Sequence, residues 1–185
     1  MSLKEGDQQI RENMDVKKLE SMREEAGRKA FHYESTYHGC CQCTFLALQE
    51  TLGLENQLAF GAASCLMGMF PVQGRTCGAL TAGAMVMGMK YGRQRIEEGI
   101  AGVAKGMLQT ERLVRRFREE FGTTVCGEIS DGLTDAVLDE KSIRYMAEHP
   151  DEMEQASRDV IKKCAPVVKR TAEMVIEIIG EEKGG

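Results

Sequence analysis

The sequence has no tryptophan, only 3 prolines, and aromatic residues at 5% of the chain. Strand signals are nearly absent too, and long periodic segments stand in their place, so the expected fold is all-α. There is no basic excess. The net charge of −5 argues against nucleic acid as a main partner. No apolar run reaches the roughly 18 residues that span a bilayer, so no membrane partner is expected. No C-x-x-C-H run is present, which excludes covalently attached haem of that type. No glycine-rich phosphate loop follows a strand, and no nucleophile stands paired with a base, so neither nucleotide binding nor hydrolysis has support. The opening Met1-Ser2-Leu3-Lys4-Glu5-Gly6-Asp7 has no apolar core and no twin arginine. The expected location is therefore the cytoplasm.

What is present is sulfur. The 185 residues suit one domain and include 7 cysteines and 12 methionines. In a reducing compartment, that many cysteines point to metal or redox chemistry before structural disulfides. The methionines predict a core filled by flexible side chains.

The stretch Gln73 to Gly92, QGRTCGALTAGAMVMGMKYG, organises the reading. Gln73-Gly74-Arg75-Thr76 is a polar turn. Cys77 follows, and then come the small residues Gly78, Ala79, Ala82, Gly83, Ala84 and Gly88. The pattern predicts a buried central helix with Cys77 in its first turn, closed by Lys90 and Gly92. Free N–H groups at a helix start favour thiolate at Cys77.

Around it, Asp7 to about Tyr33 reads as an amphipathic helix, with Ile10, Met14, Leu19, Met22, Ala26 and Ala30 along one stripe. Residues 1–35 form a docking or oligomerisation helix, and a homodimer through it is one expected use. Residues 36–180 form the helical domain, and 181–185 a frayed tail. Cys40 opens a second helix that Gly53 closes. Cys40 and Cys43, three apart, share a face, with His38 just ahead as a loop residue or further ligand. Glu55 to Met69 reads as a buried third helix with Cys65 as packing. Arg93 to Phe121 is one long helix with Ile96, Ile100, Val103, Met107, Leu113 and Phe117 inward, its arginines on a solvated face. Thr123-Thr124-Val125 is briefly extended before Cys126. Lys141 to Glu148 is a short helix. Asp151 to Ile179 is the last, broken or kinked at Pro166 just after Cys164.

Position distinguishes some cysteines from others. Cys40, Cys77 and Cys126 each follow a turn and begin a helix, and Cys164 precedes a proline. Thiols at helix ends can converge where N–H groups stabilise anionic sulfur. Cys43 is a core residue or an additional ligand.

The chain resembles the redox-active protein family named for its C_GCAxxG_C_C cysteine pattern, over about Gly39 to Ala172. The segment CCQCTFLALQETLGL is similar to the family's first cysteine with its following helix, which falls on Cys40. GRTCGALTAGAMVMGMKYG resembles the central motif, with Arg75, Cys77, Gly78 and Ala79 in it. FREEFGTTVCGEI places the third cysteine at Cys126, and KKCAPVVKRTAE the fourth at Cys164. The motif glycine falls on Ala82 here, with Gly83 one place later. The resemblance implies a bacterial or archaeal protein, often of anaerobes, whose four cysteines act together. It also implies a relation to split-Soret cytochromes, which pair a similar domain with an iron–sulfur centre.

Three functions remain open. Cys40, Cys77, Cys126 and Cys164 could bind an iron–sulfur cluster for electron transfer to an unknown redox partner. Two of them could cycle between dithiol and disulfide without metal. Or the cysteines could hold a structural zinc in a non-enzymatic helical module.

Overall fold

In the computed structural model, described for residues 3–68, 75–132 and 140–183 with side chains within 15–182, the chain is helical almost throughout. The helices are α1 (Leu3–Tyr37), α2 (Cys40–Leu52), α3 (Gln57–Ala62), α4 (Gly78–Tyr91), α5 (Gly99–Phe121), α6 (Cys126–Ile129), α7 (Glu140–Glu148) and α8 (Pro150–Lys183). Short 3-10 turns cover Ala63–Cys65 and Ile96–Glu98. The extended backbone among the described residues is a single antiparallel bridge between Thr76 and Val125. No helix among the described residues is long and apolar enough to cross a membrane.

The small-residue helix α4 packs against α2, α5 and α8. Gly78, Ala79, Leu80, Ala82, Gly83, Val86 and Met87 are its buried residues. They lie on more than one face, as expected of a helix enclosed by neighbours. Gly83 shows why the side chains must be small. A Cβ there would stand 2.5 Å from Leu113 Cδ2 of α5 and 3.1 Å from Val175 Cγ2 of α8.

Helix α1 lies mainly along α8 and also against α2. Ala26 and Ala30 are fully buried, with Leu19 and Met22 packed beside them. The close approach relies on glycine, since a Cβ on Gly180 would meet Leu19 Cδ2 at 2.3 Å. From Leu19 onward, then, the predicted stripe is occupied by the chain's own α8 and α2. The side chains of Ile10 and Met14 lie outside the described residues, as do Phe70-Pro71-Val72, Gln73-Gly74, the stretch 133–139 and Gly184-Gly185.

Several sequence expectations need correction. The segment from Arg93 is not one helix. Gly99 at φ 60° separates the Ile96–Glu98 turn from α5. The buried residues of α5 are Gly106, Gln109, Leu113 and Phe117, while Ile96, Ile100 and Met107 are exposed. Glycine at 106 lets α5 sit on the α4 terminus, its would-be Cβ 3.3 Å from Gly92 Cα. That contact turns the inward stripe away from Met107.

The third helix is also shorter than expected and superficial. The Asn56 side chain caps it by accepting from the Ala59 N–H, and after Ala62 it tightens into the 3-10 turn. Ala63 is buried there, but Cys65 is exposed, so Cys65 is not core packing.

At the other end of the chain, α8 runs through Pro166 and on to Lys183. Proline removes one N–H from the helix but does not end it here, because Ala165, Val167 and Val168 are packed into the core. Residues 181–183 are helical rather than frayed. Glu181 takes hydrogen bonds of 2.6 and 2.7 Å from Arg116 Nη2 and a further one from Arg112. Those two arginines therefore face α8 rather than solvent alone.

Candidate cysteine site

The helix starts that carry thiols are brought together by backbone. After Tyr37, His38 (φ 61°) and Gly39 (φ 108°) take left-handed conformations and redirect the chain into α2, which places Cys40 at its first residue. The Thr76–Val125 bridge does the same for the next pair. Cys77 N–H donates to Thr124 O at 2.8 Å, and Cys126 N–H donates to Arg75 O at 2.8 Å. Cys77 and Cys126 thus each follow a bridged residue, one entering α4 and the other α6. Arg75 (φ 64°) has a backbone role at this point, as the carbonyl that fixes Cys126.

Two glycines leave room for sulfur. A Cβ on Gly78 would lie 2.4 Å from Cys40 Sγ and 3.2 Å from the Cys41 nitrogen. A Cβ on Gly68 would lie 2.8 Å from Cys126 Sγ and 2.6 Å from its Cβ. The Gly68 N–H also points to the Cys40 sulfur. Cys40 therefore sits over the first turn of α4, and one glycine touches both Cys40 and Cys126. Cys164 enters from α8, half-buried, and feels both Cys77 and Cys126.

Burial, not the helix dipole, governs the Cys40, Cys77 and Cys164 thiols. It pushes the Cys77 thiol up to about 12. The N–H groups of Leu80 and Ala79 aim at the sulfur and pull the other way, but they lose to desolvation. Burial also raises Cys40 well above its ordinary value, with Cys77, Glu34 and Cys164 adding to the rise. Cys164 is pushed up to about 12 by burial, then Glu34, Cys77 and Cys126. The expectation of thiolate at Cys77 is thus corrected: burial holds the proton on its sulfur at neutral pH.

A pH dependence follows. Unfolded, the Cys77 thiol ionises near its ordinary 9.0, but folded it holds its proton to about 12. Above pH 9.0 the unfolded chain binds fewer protons, so stability is full below that pH and falls as pH rises toward 12, by about 1.4 kcal/mol per pH unit for each such thiol. Thermal melts of the reduced, metal-free protein should therefore drop steadily between pH 9 and 11. Equal melting temperatures at both values would contradict the burial found here.

The remaining sulfurs divide. Cys41 is fully buried on the core side, and burial, then Cys77, pushes it up to about 12. Cys43 is buried and hydrogen-bonded to the Glu34 side chain. Cys65 is exposed, its Sγ 3.7 Å from Ser64 Oγ. His38 holds the α1 terminus, its Nδ1 3.1 Å from Glu34 O. All seven cysteines carry thiols.

Sequence reasoning missed Glu34. It is 4% exposed, and its Oε2 has no hydrogen-bond partner. The only available signal was that Ala26, Ala30 and Glu34 fall at helical spacing on one stripe. Buried thiols are donors that iron or zinc takes. The donor set fits such a group in kind. Among the described residues, no three Cys, His, Asp or Glu side chains are yet grouped as one metal ion requires, so binding requires the donors to close in.

Residues 38–178 match the family model described as "Putative redox-active protein (C_GCAxxG_C_C)". No curated protein and no solved structure matches the chain. The matched span holds all four motif cysteines, the bridge that aligns two of them and the glycines that make room for their sulfurs; the chain belongs to the C_GCAxxG_C_C family of redox-active proteins.

Proposed function

We propose that Cys40, Cys77, Cys126 and Cys164 form one redox unit that takes an iron–sulfur cluster and passes electrons to a partner protein. What supports this is that α2, α4, α6 and α8 each carry one of the four family cysteines, with Gly68 and Gly78 cut back to backbone beside the Cys126 and Cys40 sulfurs. A thiol–disulfide pair needs two cysteines brought together, not four. A bound cluster would supply a one-electron couple whose potential is set by burial and hydrogen bonds to sulfur. The chain's own part is to hold the thiols dry and to aim the N–H groups of Gly68, Ala79 and Leu80 at two of them. Those N–H groups favour the anionic sulfur that ligation requires.

Purification without oxygen, followed by an absorption spectrum and iron, sulfide and zinc analysis, tests this. Iron and sulfide with visible charge-transfer bands are expected. Zinc alone would favour the structural-metal reading. A metal-free protein that forms a Cys40–Cys77 disulfide on oxidation would favour thiol exchange.

A further inference from the structure

We propose that the chain pairs with a second copy of itself, α5 against α5, across the groove between α4 and α5. This surface is separate from the cysteine site and from the α1 stripe that α8 and α2 already occupy.

The groove measures about 840 Å³ and runs past Gly88 and Gly92 at the end of α4 and Val103, Met107 and Val114 of α5. It lies at the opposite end of α4 from Cys77. On the same helix Ile100, Met107 and Leu108 are 78%, 61% and 59% exposed. Large apolar side chains gathered on one surface mark an interaction site. Ile100, Met107, Glu111, Arg115 and Arg118 are spaced by three, four or seven residues, so they share one face. That face is apolar in its first half and charged in its second.

Charge decides the occupant. The groove walls carry Glu111, Arg115, Arg118 and Glu119, two of each sign. Such a wall matches neither a uniformly acidic nor a uniformly basic partner. It matches an inverted copy of itself, because a two-fold axis brings one patch onto the same patch. Glu111 and Arg115 stand four apart on α5, yet among the described residues neither side chain has an ion-pair or hydrogen-bond partner. Two copies packed antiparallel, with the axis level with Leu113, set Glu111 of each opposite Arg115 of the other. Met107 of each then lies beside Val114 of the other, so the ion pairs and the apolar strip form together.

Sedimentation equilibrium of the full chain over a range of concentrations reads the association. Reducing conditions keep the exposed Cys65 from linking copies. A dimer is expected for the wild type. Arg115→Glu and Glu111→Arg each set like charges against one another across the axis, and each alone should weaken the dimer at least about tenfold. An equal mixture of the two variants should recover wild-type association, because every opposed pair is then of opposite sign. Loss of fold in one variant would not be repaired by mixing. A wild type that stays monomeric at every concentration overturns the proposal without any variant. A dimer that both variants leave intact overturns it too, as does a mixture that stays as weak as its components.

Discussion

Gly78→Ala should abolish or strongly weaken iron uptake in anaerobic reconstitution while leaving the helix content by circular dichroism close to that of the parent. The added methyl would occupy the space of the Cys40 sulfur, 2.4 Å from Sγ, and press on the Cys41 nitrogen and the Leu66 carbonyl, each at 3.2 Å. Sulfur can swing aside, but both backbone atoms are fixed, so the strain falls on the site. Displacing one sulfur by even a fraction of a bond length is expected to weaken binding by a factor of ten or more. Overpacking adds about 1–3 kcal/mol of instability. Gly68→Ala should behave alike through Cys126, whose Cβ and Sγ it would meet at 2.6 and 2.8 Å. Normal iron uptake by both variants would mean that the two glycines are not shaped around the sulfurs.

Gly83→Leu should lower the melting temperature, and a neighbouring substitution should raise it. Leu113 and Val175 are both fully buried where they face Gly83, so neither has room to retreat. The expected cost is about 1–3 kcal/mol or more, or about 2–12 °C at this chain length. Ala79→Leu, at a residue with no exposure, should cost a similar amount. Gly88 lies on the same helix but has nothing within 4 Å of a would-be Cβ. Gly88→Ala should therefore stabilise by about 0.5–1 kcal/mol, from helix propensity alone. The opposite signs at 83 and 88 separate close packing from a general dislike of glycine. Equal melting temperatures for Gly83→Leu and the parent would show that α4 is not enclosed.

The helices that read clearly in the sequence are those whose local signals agree with their packing. Gly53 closes α2 in a left-handed cap, and the small residues of α4 mark burial directly. Failures came where tertiary contact overruled local pattern. Ile96, Ile100 and Met107 have helical spacing and apolar character, yet Gly99 breaks the chain and the Gly106–Gly92 contact rotates α5. Pro166 reads as a break, but the packed residues around it carry the helix through.

Cys40, Cys77 and Cys126 stand at helix starts as the sequence suggests, whereas Cys164 lies inside the unbroken α8 and was marked by the family pattern alone. Cys43, three residues after Cys40, is buried and hydrogen-bonded to the Glu34 side chain. Glu34 was illegible because acidic residues on charged helices normally face water. Gly68 falls at the end of the segment whose pattern predicts a buried third helix. Its contacts with Cys40 and Cys126 arise from separations in sequence that no local pattern records.

Each motif thiol is attached to a different helix, and this couples occupancy to folding. The unfolded chain cannot present the four sulfurs as a set, so whatever they hold together is held by the native state. Its binding free energy then becomes resistance to unfolding, about 2.7 kcal/mol when free ligand stands at a hundred times its dissociation constant. If that ligand is the proposed cluster, the melting temperature follows iron supply, and chelation should act on the protein as a mild denaturant does.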